Sequence, residues 1–186
     1  MLTLAARLSD SALAGKAATG GLAAFEELLE RYEGPIFRAC LRILGNTEDA
    51  RDAAQEVFMK LHRNLRSFSA EREFSPWLYQ IAVNECRDRL RKRREFVPLD
   101  DLPLADHSAG PERDASDSER RRILKDGLTR LPEAERAAIV LREIEGLSTA
   151  EAAAILGNTE QTVRSQISKG TARLKAFVEH ALRRTT

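Results

Sequence analysis

Aromatic residues are scarce in this chain, 5% of 186, with one Trp and two Tyr. Cysteine is scarcer, limited to Cys40 and Cys86. Two distant cysteines among apolar residues exclude a disulfide framework and read as buried free thiols. Three histidines (His62, His107, His180) and no Cys-x-x-Cys leave no basis for a metal site. No run approaches about 18 apolar residues, so no membrane insertion is expected. Residues 1–16 lack the basic start and apolar core of a signal peptide, which points to a cytoplasmic protein. Glycine-rich phosphate loops, a Ser-centred nucleophile motif and a His–carboxylate constellation are all missing, so no catalytic residue and no cofactor is assigned. The period-two alternation of a strand is missing too.

What is present favours helix. The chain is 32% charged and 42% hydrophobic, rich in Ala, Leu, Arg and Glu. Its net charge of +1 hides an uneven distribution. Residues 1–94 carry +3, residues 95–119 carry −7, and residues 120–186 carry +5. Two basic blocks flank an acidic one. Charge alone fits two soluble domains and a solvated linker equally well.

Apolar residues recur at helical spacing from Leu22 (Phe25, Leu28, Leu29, Tyr32) and again after Gly34-Pro35 (Ile36, Phe37, Cys40, Leu41, Leu44). Pro35 predicts a second helical segment or a kink. Asn46 or Thr47 caps the next helix, whose stripe is Ala50, Ala53, Ala54, Val57, Phe58, Leu61 and Leu65. A polar loop, 67–74, precedes Ser75-Pro76, a helix start. That helix buries Trp77, Leu78, Ile81, Ala82, Cys86 and Leu90, and turns Gln80, Asn84, Arg87 and Arg91 to another face. Pro98, Pro103 and Pro111 then break all periodicity, and 95–118 reads as a flexible acidic linker. Helices resume with Ile123, Leu124, Leu128 and Leu131, then with Ala134 to Ile144. Ser148 and Glu151 form a capping box for a short helix through Leu156. Gly157-Asn158-Thr159 is a turn, and a last helix covers 160–182. The expectation is all-α: two small helical domains, 22–94 and 119–183, after an N-terminal segment 1–21. With the last helix ending near Thr186, no further domain is expected.

A short capped helix, a glycine turn and a polar, basic second helix make a helix-turn-helix. Its second helix offers Arg164, Ser165, Gln166, Ser168 and Lys169. Arg and Gln suit base edges, and Ser and Lys suit phosphates. In the first domain, a basic helix end (Arg87, Arg91) lies near Phe68, Trp77 and Tyr79, an arrangement that can hold unpaired bases. Trp77 has a competing core role among its apolar neighbours. The plain alternatives are a packed helix pair with a charged outer face in the second domain and a solvated charged helix end, Arg87 to Arg94, in the first.

Two stretches resemble region 2 of extracytoplasmic-function sigma factors of the sigma-70 family. One is the run from Asp49 through Gln55-Glu56-Val57-Phe58. The other is Phe74-Ser75-Pro76-Trp77-Leu78-Tyr79-Gln80-Ile81-Ala82-Val83-Asn84. Leu131-Pro132-Glu133, the run from Leu141 to Ser148, and Thr162-Val163-Arg164-Ser165 resemble region 4. The resemblance implies a transcription initiation factor that binds core RNA polymerase and directs it to promoters. Asp49, Asp52, Gln55 and Glu56 would dock on the clamp coiled coil of the β′ subunit, and region 4 on the β flap. The 67–74 loop, with Ser67, Phe68, Ser69, Trp77 and Asn84, would capture a flipped base of the minus-10 element. Arg87 and Arg91 would hold its backbone. Thr162, Arg164, Ser165, Gln166, Ser168 and Lys169 would face the minus-35 element, with Arg142 on a phosphate. The linker would thread into the polymerase channel. An anti-sigma factor is a further implied partner.

This sequence departs from the family pattern at Arg51, where an acid is frequent, and at Gln161, where glycine is usual. Gln166 and Thr171 stand where Arg is common. Fewer cations imply a weaker, less salt-sensitive hold on minus-35 DNA. The competing reading is a conventional helix-turn-helix regulator, which would bind duplex DNA alone. A helical scaffold that binds only protein would be indifferent to replacing Arg164 or Asn84.

Overall fold

The computed structural model describes residues 8–69, 71–96 and 115–185. Eight α-helices lie among the described residues: α1 Asp10–Ala18, α2 Leu22–Leu44, α3 Thr47–Asn64, α4 Phe74–Phe96, α5 Ala115–Thr129, α6 Glu133–Ile139, α7 Thr149–Leu156 and α8 Glu160–Thr185. The fold is all-α, in two helical clusters. Most of the expected linker, residues 97–114, lies outside the described residues. Its edges are helical, since α4 runs to Phe96 and α5 begins at Ala115.

The first cluster wraps α2, α3 and α4 around a common core. Leu28, Ile36, Cys40 and Ile43 of α2 meet Ala50, Ala53, Val57 and Leu61 of α3 and Phe74, Leu78, Ala82 and Cys86 of α4, all buried. Asn46 caps α3, its side chain accepting from the Asp49 N–H at 3.0 Å. Cys40 and Cys86 are both free and buried. A hydrogen bond between them, and burial, push the Cys86 thiol above its ordinary value. Cys86 therefore remains an unreactive thiol of the core.

Three features go beyond the sequence expectation. The segment 1–21 contains α1, capped by Ser9, with Leu13 and Ala14 buried. Asp10 of α1 accepts from Arg31 and from the Tyr32 hydroxyl (2.6 Å), which fixes α1 on α2. Pro35 neither divides nor ends α2, which runs continuously through it. Beyond α6 the backbone widens into a π turn, Val140–Ile144, closed by the Glu145 N–H on the Val140 carbonyl at 2.9 Å.

The second cluster, α5 to α8, packs directly on the first. Helix α4 is covered on one side by α2 and α3 and on another by α7. Val140, Leu141, Leu147, Leu156 and Val163 therefore belong to the same continuous core as Leu28 and Val57. Gly45 sits at this junction. Its φ of +77° closes α2 in the left-handed region, and a Cβ there would meet Thr129 Cγ2 at 2.7 Å.

The chain's two tyrosines report on this packing. Burial first, and then the hydrogen bond to Asp10, raise the Tyr32 phenol above its ordinary value of 10. Burial and then Glu145 do the same for Tyr79. A folded-state value raised above the unfolded one contributes stability below about pH 10, and that contribution is lost as pH climbs toward the folded value. Absorbance titration at 295 nm should show almost no tyrosinate in the native chain at pH 10, with ionisation arriving together with unfolding. Free titration near pH 10 would mean that these contacts are open.

Candidate nucleic-acid interface

The helix-turn-helix is built by local capping. The Ser148 side chain accepts from the Glu151 N–H (3.2 Å), and the Glu151 carboxylate accepts from the Ser148 N–H (2.6 Å). Gly157, at φ +67°, ends α7 in the left-handed region that side chains avoid. Thr159 starts α8: its hydroxyl accepts from the Thr162 N–H (3.1 Å) and lies 2.9 Å from the Thr162 hydroxyl. Val163 is fully buried and sets the rotation of α8.

That rotation turns Thr162, Arg164, Ser168 and Lys169 to solvent. Ser165 is half-buried. Gln166 is too, and its amide oxygen is buried with no hydrogen-bond partner among the described residues. Arg164 holds Glu160 one turn back at 2.5 Å, an exposed pair contributing little to stability and easily exchanged for another anion. Arg142 leaves the π turn toward α7, its Nε donating to the Thr149 hydroxyl at 3.3 Å.

In the first cluster, Phe68 and Trp77 come together at 4.9 Å between ring centroids, and both pack on Phe74, itself edge-on to Tyr32. Each of the pair is half-buried, so an aromatic face rests on a fixed base. Ser67 closes a 3-10 turn, Leu65–Ser67, by donating to the Asn64 carbonyl (2.6 Å). Ser69 is exposed beside it. Asn84 and Arg91 follow Trp77 at seven-residue intervals and are exposed, Arg91 pairing with Asp88 at 3.1 Å.

Arg87 is placed differently. Its Nη2 donates to the Leu156 carbonyl at the end of α7 (3.3 Å), and Glu133 of α6 lies 4.0 Å away. Tyr79 and Val83 share its stripe and are buried. The sequence reading assigned α4 a single apolar face; the second cluster supplies a second one. The spacing of 79, 83 and 87 was the signal for it.

The acidic face of α3 is partly neutralised. Asp49 and Asp52 lie 3.9 and 4.0 Å from Arg93 and Arg89, and Glu56 pairs with Arg63 at 2.6 Å. Gln55 is exposed on the wall of an apolar groove of about 970 Å³ between α2 and α3. Phe25, Leu29, Phe37, Phe58 and Met59 line it, and Met59 is 45% exposed. The expected stripe put Phe58 in the core; it is half-buried in this groove.

Several polar contacts had no signature in sequence. Glu145 joins the clusters: its carboxylate accepts from the Tyr79 hydroxyl (2.6 Å) and from Arg42 (3.1 Å). Arg136 donates to the carbonyls of Ile43 (2.5 Å), Thr129 (2.7 Å) and Leu131 (2.9 Å), satisfying oxygens that helix ends leave open. Glu85, buried, joins α4 to α3 through Lys60 (2.6 Å) and also accepts from Arg89 one turn on in α4 (2.7 Å). No group of His, Cys, Asp and Glu among the described residues could hold a metal. No described helix is long and apolar enough to cross a membrane.

The profile of Sigma-70 region 2 matches residues 28–96, and that of Sigma-70, region 4 matches residues 121–174. The chain is 35% identical over 169 residues to the ECF RNA polymerase sigma factor SigM of Mycobacterium tuberculosis, covering 89% of this chain and 83% of that one. It is 35% identical to the ECF RNA polymerase sigma-E factor of Haemophilus influenzae, covering 88% and 92%. Among solved structures, it is similar to CnrH in complex with the cytosolic domain of CnrY, with a TM-score of 0.71 and 30% identity over 92% of this chain and 97% of that one. It is also similar to the sigma factor RpoE in complex with the anti-sigma factor NepR from Bartonella quintana, with a TM-score of 0.68 and 25% identity over 83% and 96%.

Burial pushes the Glu85 carboxyl up, but its bonds to Lys60 and Arg89 outweigh this and hold it below the ordinary value of 4.5. A lowered folded value contributes stability above about pH 4.5 that is lost as pH falls through the folded value. Glu85→Gln should therefore cost about 1–3 kcal/mol in urea unfolding at neutral pH. The cost should shrink toward pH 3. An unchanged neutral-pH midpoint would remove Glu85 from the packing of α3 on α4.

Proposed function

This chain belongs to the extracytoplasmic-function sigma factors of the sigma-70 family, and we propose that it reads its promoter with two surfaces that must part to do so. As a member it directs RNA polymerase to promoters, recognising minus-35 and minus-10 elements, and is not itself an enzyme. Nucleotidyl transfer belongs to the polymerase.

Residue roles are the substance of the proposal. Arg164, Ser168 and Lys169, exposed on α8, enter the major groove of the minus-35 element, with Thr162, Ser165 and Gln166 at its edge and Arg142 on a phosphate. The arrangement of α7, the Gly157 turn and α8, with Val163 locked inward, carries this reading. On α4, Asn84 receives an unstacked base of the minus-10 element, with Ser67, Phe68, Ser69 and Trp77 as its support and Arg87 and Arg91 on the backbone. Pocket contacts there offset the unstacking cost. Asp49, Asp52, Gln55 and Glu56, with the apolar groove beside Gln55, dock on the β′ clamp coiled coil of core polymerase, and the second cluster docks on the β flap. Since the similar sigma factor RpoE was solved with the anti-sigma factor NepR, and CnrH with the cytosolic domain of CnrY, we assign this chain an anti-sigma partner as well.

Separation of the clusters follows from length. Elements about 25 base pairs apart lie roughly 85 Å apart at 3.4 Å per step. Clusters joined by contacts as short as 2.6 Å cannot cover both. Residues 97–114 reach at most roughly 60 Å when extended, which with the width of the clusters is enough.

Core polymerase on fragmented genomic DNA should yield discrete new transcripts only when this protein is added. No transcripts and no binding to core would return it to the conventional regulators. Arg164→Ala should cost about 1–3 kcal/mol at one minus-35 position. Unchanged promoter preference would take Arg164 out of the reading set. Asn84→Ala should reduce opening, read by permanganate, more than closed binding; equal opening would count against its role.

A further inference from the structure

Helix α1 precedes the residues that match region 2. It packs on α2, on the 3-10 turn Leu65–Ser67 and on α4, with Leu13 and Ala14 seated in the core. Two polar contacts carry it further, to the aromatic face of Phe68 and Trp77, by separate routes. On the first, Asp10 accepts from the Tyr32 hydroxyl at 2.6 Å through one oxygen and from Arg31 through the other. Arg31 is itself tied to Glu27 (2.5 Å) and to the Leu8 carbonyl (3.0 Å). The Tyr32 ring so held stands edge-on to Phe74, with centroids 5.3 Å apart. Phe74, fully buried, is the floor on which both Phe68 and Trp77 rest. On the second route, the Ser11 hydroxyl donates to the Arg72 carbonyl at 3.2 Å. Arg72 closes the turn of the loop, its N–H donating to the Ser69 carbonyl at 3.0 Å.

Both routes end on the same group of residues: Phe68, Ser69 and Trp77. A loop that must order itself as it binds spends part of the binding energy on that ordering, and one held in advance does not. From these contacts we infer that α1 is a brace for minus-10 capture: Asp10, through Tyr32 and Phe74, and Ser11, through the Arg72 carbonyl, are positioning residues that hold Phe68, Ser69 and Trp77 ready for an unstacked base. This depends on the minus-10 role proposed for that surface. Neither Asp10 nor Ser11 touches DNA. The contacts that offset the unstacking cost are fully realised only while the brace is in place. Its effect falls on opening, and minus-35 recognition by α8 proceeds without it.

Trp77 is the chain's one tryptophan, so its emission reads this surface directly in the free full-length chain. In Asp10→Ala the native protein should show red-shifted Trp77 emission and easier quenching by acrylamide. Holoenzyme is then given a promoter with 2-aminopurine in the non-template strand of the minus-10 element. Asp10→Ala and Ser11→Ala should each lower the yield of the flipped base about fivefold, as the loss of one hydrogen bond allows, with closed binding unchanged. Asp10→Asn, whose amide oxygen can still accept from Tyr32, should restore both readouts. Ser11→Ala leaves Leu13 and Ala14 seated and so decides the matter even where Asp10→Ala lowers stability. A role confined to stability predicts another pattern: a lower urea midpoint, with native Trp77 emission and base flipping per bound complex both unchanged. That pattern would overturn the proposal, and so would an equal loss of closed binding and of opening. A Trp77 shift in Asp10→Ala beside a wild type that opens no promoter would uphold the brace and sink the minus-10 reading instead.

Discussion

The carboxylate of Glu145 sets the terms on which the two halves of the molecule meet. Its side chain is 9% exposed, and each oxygen has one donor from the other cluster: Arg42 on one, Tyr79 on the other. A carboxylate out of water is tolerated only when its partners are in place. The three groups therefore come together or not at all. Arg136 works from the opposite direction, closing the last carbonyls of α2 and α5 with a single guanidinium. Apolar packing shares the junction, since Leu156 and Val140 join the common core. Yet the groups that fix its geometry are ones that water can satisfy once the halves part. That suits a contact meant to be temporary.

Much of each cluster was legible in sequence because it is locally determined. Periodic apolar residues located α2, α3 and α4, and Ser148 with Glu151 located the start of α7. Where the sequence was opaque, the deciding partner lies far along the chain. Helix α1 buries little beyond Leu13 and Ala14, and owes its position to Arg31 and Tyr32. Pro35 costs α2 one hydrogen bond and disturbs its carbonyl neighbour. The helix nevertheless continues, because Leu28 on one side and Ile36 and Cys40 on the other are held in the same core. The π turn after Ile139 has no compositional mark at all.

The candidate site divides the same way. Exposure of Arg164, Ser168, Lys169 and Asn84 followed from helical phase. The engagement of Arg87 with α7, the neutralisation of Asp49 and Asp52 by Arg93 and Arg89, and the inward set of Gln166 did not. Each depends on which helix covers a face, and a single sequence read in windows shows faces without showing what covers them.

Arg87 has an evolutionary corollary. One guanidinium cannot hold the Leu156 carbonyl and a DNA backbone at the same time. Under the role proposed for Arg87, a substitution there would alter the closed form and the DNA-bound form together, with opposite effects on output: losing the first contact would release the factor, losing the second would disarm it. Drift at such a position is constrained twice over. Neighbouring surface residues with one duty can change to suit a new promoter, while Arg87 can change only if a second site compensates for the role it abandons.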